Sequence, residues 1–466
     1  MKYAFAGALA LGFLALPAWS QNGALPLDQQ MVERRGVEAM IWGMPAVNAD
    51  LMRQEMLSRT EAKQNDILFW SRPADWQNQT LTPNPDSIYF MSFWNVKDGP
   101  IVIEVPPADG GSIAGNIVDA WQMPLEDAGP EGADQGKGGK YLILPPGYQE
   151  TVPEGYVVLP SATFTGFTLL RSNMTSHAEE DIAKAVAYGK RIAVYPLTQA
   201  ENPPATKFVD ASGAMFDATI RYDASFYANL DRVVQTEPWL ERDRAMIDQL
   251  RAIGIQKGKP YAPDAATTKV LDQAAKQAHA WLSAEYDKGF PVMNEGIGWF
   301  PAARADFVKA VQSSYGDRDE YPVDARGVTY TLGFTGIKRI GTAQFYLMTS
   351  KDKDGAALDG AGTYRLTVPA NAPVEHYWSV TAYDRETHAL IHEMDRASIA
   401  SITEGVETNA DGSVDVYFGP DAPEGKESNW VPTDPKGKFE LLFRLYGPQK
   451  PLFDKSWKLP DAERLQ

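Results

Sequence analysis

The chain has 466 residues, of which 44% are hydrophobic, 23% charged and 11% aromatic, with 38 Gly and 33 Pro that follow no period. This composition supports sizeable apolar cores and excludes wholesale disorder, collagen-like and coiled-coil architectures. A net charge of −17 argues against nucleic-acid partners, and the lack of cysteine excludes disulfides, thiolate chemistry and cysteine-held metals.

Residues 1–20 read as a secretory signal. Lys2 gives a positive start, Ala4 to Leu16 is an apolar stretch too short to span a bilayer, and Pro17 breaks it. Ala18 and Ser20 are the small residues a signal peptidase reads, which predicts cleavage before Gln21. No later apolar run has spanning length, so the mature chain is expected to carry no transmembrane segment. A periplasmic location is expected, with full secretion as the alternative.

Residues 21–65 are predicted to be mainly helical. Met31, Val32, Val37, Met40 and Ile41 recur at helical spacing, and Gly43-Met44-Pro45 is expected to interrupt the run. From 66 to 177 short β-branched and aromatic runs alternate with turn clusters. Ile88–Phe90, Ile101–Ile103, Tyr141–Leu144, Tyr156–Leu159 and Thr163–Leu170 are the strand candidates, and Ala128–Lys140 reads as a Gly-rich loop. Residues 178–327 turn helical, with predicted helices at Asp223–Val234 and Trp239–Ile253, a C-cap at Gly254 and an N-cap at Asp264. Residues 328–466 return to strands: Gln344–Leu347, Tyr364–Val368, Tyr377–Tyr383, Val414–Phe418 and Phe439–Tyr446. The last carries bulk on both faces and is placed centrally in its sheet. The fold expected is α+β, mainly β: two β-sandwich, jelly-roll-like modules with a helical N-terminal segment and a helical middle region.

Several segments together resemble a known pattern. Thr82-Pro83-Asn84-Pro85-Asp86-Ser87-Ile88-Tyr89 and Gly99-Pro100-Ile101-Val102-Ile103-Glu104-Val105-Pro106 are similar to the family of domain of unknown function 1254. Leu358-Asp359-Gly360, Tyr364-Arg365-Leu366, Tyr377-Trp378-Ser379-Val380-Thr381-Ala382-Tyr383-Asp384, Glu427-Ser428-Asn429-Trp430-Val431-Pro432 and Leu442-Phe443-Arg444-Leu445-Tyr446 resemble its usual companion, domain of unknown function 1214. The resemblance runs from about Trp42 to the C-terminus and implies two β-sandwich-like modules, often exported. It implies no reaction. Relatives tend to carry an Asn-Pro pair and then an Arg-Tyr pair after the Trp-Ser strand. Here that stretch reads Leu390–Ala397, keeping only Arg396.

Four groups of residues carry candidate chemistry. Asn84, Asp86 and Tyr89 form either an ordinary Asn/Asp turn or a pocket rim, with Asp86 and Tyr89 as catalytic base and proton donor and Asn84 binding substrate. Of five histidines, His388 and His392 share a face if they lie on a helix or strand; with His376 and Glu393 nearby, a divalent metal site can be drawn, the one cofactor considered. Asp352-Lys353-Asp354-Gly355 echoes part of a calcium loop but reads better as a hairpin turn. Trp378, Tyr383, Arg444 and Tyr446 are either sandwich core or substrate-binding groups; Arg444 inside an apolar strand needs a partner, for which Asp384 or Glu375 is expected. No G-x-S-x-G elbow, P-loop or dinucleotide fingerprint occurs. Two functions stay open: a hydrolase-like enzyme acting on a small organic or sugar-like substrate in a pocket between the modules, and a non-catalytic carbohydrate- or ligand-binding protein.

Overall fold

The computed structural model describes residues 25–288, 290–333, 338–339 and 344–465. The signal-like segment lies outside them. The alternating runs after Asp66 form two facing sheets. The larger orders its strands Phe208–Asp210, Ile67–Phe69, Ser87–Asn95, Thr165–Asn173, Ile113–Asp119 and Pro124–Ala128. The smaller orders Ala193–Pro196, Ile101–Val105, Gly139–Leu144 and Val157–Pro160. Successive side chains point to opposite faces. Ile88, Phe90 and Trp94 therefore meet Ile101, Ile103, Tyr141 and Ile143 in the sandwich core. Tyr89, Met91 and Phe93 face the other way, Met91 and Phe93 against Met52 and Met56 of helix α1 (Leu27–Arg59).

The first module reaches past residue 177. Two of its strands, Ala193–Pro196 and Phe208–Asp210, follow α2 (Glu179–Gly189), which sends Ile182, Ala185 and Tyr188 into the same core. The predicted loop 128–140 is a series of turns, with Asp134 Oδ1 accepting from the Gly129 N–H and the Tyr141 hydroxyl, both at 2.6 Å.

Helix α1 does not stop at Gly43-Met44-Pro45. It passes through Pro45 because it is buried on nearly all sides from Ala39 to Ala49. There tertiary packing outweighs the hydrogen bond that proline removes. Polar ties support the passage: the Pro45 carbonyl accepts from Gln122 Nε2 at 2.8 Å, and Asn48 Nδ2 donates to the Tyr330 carbonyl at 2.6 Å. Helices α3 (Ser225–Thr236), α4 (Met246–Ala252), α5 (Ala265–Lys288), α6 (Ala305–Gln312) and α7 (Val323–Leu332) build a helical core with α1. The cap predictions hold. Gly254 follows α4 at φ +93°, and Asp264 Oδ1 accepts from the Thr267 N–H at 2.7 Å. The stretch Trp239–Ile253 is α-helical only in its second half, after a 3-10 turn at Glu241–Asp243. Val328, expected to open the second β region, lies in mid-α7, where Gly327 permits close approach: a Cβ there would stand 3.0 Å from the Ile41 carbonyl oxygen.

The second module also pairs two sheets. One orders Phe300–Pro301, Gln344–Thr349, Phe439–Tyr446, Trp378–Asp384 and Ser398–Ala400. The other orders Trp430–Pro432, Val414–Gly419, Tyr364–Val368 and Glu463–Arg464. Phe439–Tyr446 is central and wholly buried, as its two-sided bulk predicted. Leu441, Phe443 and Leu445 enter the sandwich core. Glu440, Leu442, Arg444 and Tyr446 therefore line the opposite face. Mixed α+β is the class, with about 27% helix and 25% strand. Among the described residues no helix is long and apolar enough to cross a membrane.

Candidate functional site

The Thr82–Tyr89 segment is the hinge of the site. Asn84 Oδ1 accepts from the Asp86 N–H at 3.0 Å, closing the expected Asn/Asp turn, and the Asn84 N–H donates to the Tyr89 hydroxyl at 2.8 Å. Thr82 sits at φ +39°, a costly backbone position for a β-branched residue. Three contacts hold it. Its N–H donates to the His388 carbonyl at 2.7 Å, its hydroxyl donates to the Leu332 carbonyl at 2.9 Å, and its carbonyl accepts from Arg444 Nη2 at 3.1 Å.

The second module grips this turn. Tyr383 donates its hydroxyl proton to the Pro83 carbonyl at 2.6 Å, Tyr377 donates to the Asp86 carbonyl at 3.1 Å, and Asn84 Nδ2 donates to the Ser87 and Tyr446 hydroxyls. Burial pushes the Tyr377, Tyr383 and Tyr446 phenols up, so all three stay protonated donors at neutral pH. The Asp86 carboxylate is buried. It accepts the Ser398 hydroxyl at 3.1 Å, and His177 Nε2 stands 3.2 Å away without hydrogen-bond alignment.

Two hollows adjoin this junction. A cleft of about 650 Å³ runs between the modules, walled by Ser112, Asn116 and Asp127 on one side and Glu375, His376 and Tyr377 on the other. Tyr377 and Tyr446 stack beside it with ring centroids 4.2 Å apart. A smaller cavity, about 60 Å³, has Asn84 in its wall together with both Arg171 and Arg444.

Comparison with known families places these two halves. Residues 64–196 match the family described as Protein of unknown function (DUF1254), and residues 343–450 match Protein of unknown function (DUF1214). The chain belongs to the two-module DUF1254–DUF1214 family. The VPA0106 protein from Vibrio parahaemolyticus has a similar fold: TM-score 0.57 at 17% identity, over 94% of this chain and all of that one. An uncharacterized protein from Burkholderia cenocepacia aligns over 94% of this chain and 95% of its own at 14% identity and TM-score 0.41. No curated protein matches the chain.

The motifs of the DUF1254 module (82–89) and of the DUF1214 module (377–383 and 442–446) thus meet one another. Of the candidate residues, Asn84, Tyr89 and Arg444 line the small cavity and Tyr446 lines the cleft. Asp86 and Tyr383 serve the join between them. Trp378 stands apart: it stacks on Phe443, with centroids 5.6 Å apart, inside the sandwich core. The expected carboxylate for Arg444 is also absent. Its partners are the Thr381 hydroxyl at 2.9 Å, the Tyr383 hydroxyl at 2.6 Å and the Thr82 carbonyl, all neutral.

His388 and His392 do not converge. They lie in turns rather than on a helix or strand, so the four-residue spacing puts them on no common face; His388 itself has φ +56°. His388 is buried, its Nδ1 2.7 Å from Glu440 Oε1, whereas His392 is exposed beside Trp76. No group of three His, Asp or Glu side chains among the described residues is placed to hold a metal ion. The calcium-like echo is the hairpin turn expected, with Asp352 Oδ1 accepting from the Asp354 and Ala356 N–H groups at 3.0 and 2.9 Å. Arg396, kept where the family's neighbouring residues are not, donates to the carbonyls of Glu427, Ser428 and Trp430 and so ties two DUF1214 motifs together.

Arg171 and Glu440 are members of the site that sequence reasoning missed. Arg171 follows the apolar run of the Thr165–Asn173 strand, where an arginine reads as a solvated tip. Its signal is the register Tyr89↔Arg171, which exists only after pairing.

Proposed function

We propose that this DUF1254–DUF1214 protein is exported and binds a small organic or sugar-like molecule in the cleft between its modules, without turning it over. The observation that carries this is the cleft itself. Its volume of about 650 Å³ falls within the range of small-molecule sites, and both modules wall it. The stacked Tyr377–Tyr446 pair supplies aromatic surface, and Asn116, Asp127, Glu375 and His376 supply polar groups to orient a ligand. What favours binding over turnover is the disposition of Asp86. It is the acceptor of the Ser398 hydroxyl and is buried, and it does not line the cleft. A base that prepares a nucleophile must reach the substrate's side of the site.

A thermal-shift screen of sugars and small aromatic compounds on the purified mature chain tests the reading, because a ligand selective for the folded state raises Tm. A saturable ligand is expected whose affinity falls about three- to tenfold in His376→Ala and Asn116→Ala, the size of one lost hydrogen bond. Asp86→Asn is expected to change affinity less than about threefold. Chemical conversion of the ligand that disappears in Asp86→Asn would instead establish the hydrolase-like reading. Export rests on Lys2, the apolar stretch and Ala18–Ser20. N-terminal sequencing of the protein from a Gram-negative periplasmic fraction is expected to read Gln21 first; a chain that keeps residues 1–20 overturns it.

A further inference from the structure

We propose that the small cavity at the module junction is a second and separate site, built for a short-chain carboxylate held between Arg171 and Arg444. The two modules supply the same device. In the DUF1254 module Arg171 lies directly across the strand pair from Tyr89, with its guanidinium 5.5 Å from the ring centroid. In the DUF1214 module Arg444 lies directly across from Tyr346, 5.3 Å from the ring centroid. Both pairs project from the sheet faces that look away from the sandwich cores, and both line the one cavity.

Neither arginine has a carboxylate within ion-pair distance among the described residues. The Nε–H of each is buried without a hydrogen-bond partner. Arg444 is 1% exposed, and its remaining contacts are neutral oxygens. Arg171 is half-buried. A buried cation with a second, half-buried cation beside it and no counter-charge is unfavourable, and an anion between them removes the deficit. A third donor is in place: Tyr89 accepts the Asn84 N–H, so its own hydroxyl proton is left to donate.

The ligand's shape follows from the wall. A carboxylate only accepts hydrogen bonds, and it matches the flat guanidinium fork. Beside the arginines, two positions along on the same sheet faces, the lining is apolar, from the cross-strand pairs Met91–Leu169 and Met348–Leu442, which suits a methyl or ethyl group better than further anionic oxygens. A cavity of about 60 Å³ has room for roughly four to five water-sized groups, the size of acetate or propionate.

The test uses the full mature chain in acetate-free buffer, titrated with sodium acetate against sodium chloride and sodium sulfate at equal ionic strength. Both Tm and calorimetric heat are read. Acetate is expected to raise Tm saturably and to release heat at one site per chain, with chloride and sulfate doing neither. Arg171→Gln is expected to abolish the response, and Tyr89→Phe, which keeps the ring, to weaken it at least about fivefold. Should Arg171→Gln fail to fold, Ala302→Leu fills the same cavity without touching a charge and is expected to abolish the response as well. Sulfate binding as tightly as acetate overturns the carboxylate assignment. An acetate response that survives Arg171→Gln or Ala302→Leu overturns the site. Neither result bears on the larger cleft, whose ligand is read through His376 and Asn116.

Discussion

Glu440→Ala is expected to lower the free energy of unfolding by about 3–5 kcal/mol, the cost of removing one member of a buried charged or hydrogen-bonded group. Glu440 lies on the outward face of the central Phe439–Tyr446 strand, opposite Tyr383, and is fully buried. One carboxylate oxygen stands 2.7 Å from His388 Nδ1, and the other accepts the Tyr286 hydroxyl of α5 at 2.7 Å. Alanine leaves both partners in a place water does not reach. The damage also travels. His388 holds a left-handed backbone position, and its carbonyl accepts the N–H of Thr82, itself at positive φ. Loss of the anchor therefore releases two unfavourable backbone positions at the junction. Urea denaturation gives the magnitude, and hydrogen exchange at the Thr82 amide reads the coupling. Glu440→Gln, which can still accept from Tyr286, is expected to cost about half as much. An alanine variant within about 1 kcal/mol of the parent, with Thr82 exchange unchanged, removes Glu440 from any role in supporting the junction.

The apolar alternation in the sequence carried most of the strand pattern, because period two is written locally in side chains. It also marked Arg444: a guanidinium in a run such as Leu441–Leu445 has to be paired or turned outward. What local pattern does not contain is the identity of residues brought in from far along the chain. The carboxylates expected for Arg444, Asp384 and Glu375, lie in its own module, whereas its partners include Thr82, on the other module. Arg171 stayed hidden because its meaning depends on lying across from Tyr89 and beside a cavity shared with the second sheet. His388 and His392 mislead for the converse reason. Spacing implies a common face only where a regular helix or strand repeats, and here the backbone turns. Pro45 is a further case, since burial of α1 on nearly every side outweighs a local breaker.

Asn84 unites these threads, and its two smallest substitutions separate its roles. Asn84→Ala removes the acceptor of the Asp86 N–H and the donor to the Ser87 and Tyr446 hydroxyls, all at a buried site. A loss of about 2–4 kcal/mol is expected, since several buried polar groups are orphaned together. Faster hydrogen exchange is expected through 82–89 and at Tyr446, because the same side chain closes the turn and joins the modules. Asn84→Asp has nearly the same shape. A carboxylate at that position can still accept the Asp86 N–H, and the Ser87 and Tyr446 hydroxyls can rotate to donate to it. It also puts a negative charge on the wall that holds Arg171 and Arg444. Aspartate is therefore expected to keep more stability than alanine while weakening the acetate response, because the built-in carboxylate satisfies cations otherwise left for a ligand. If Asn84→Asp binds acetate as well as the parent does, the arginines are not short of negative charge, and the electrostatic reason for the small site is gone.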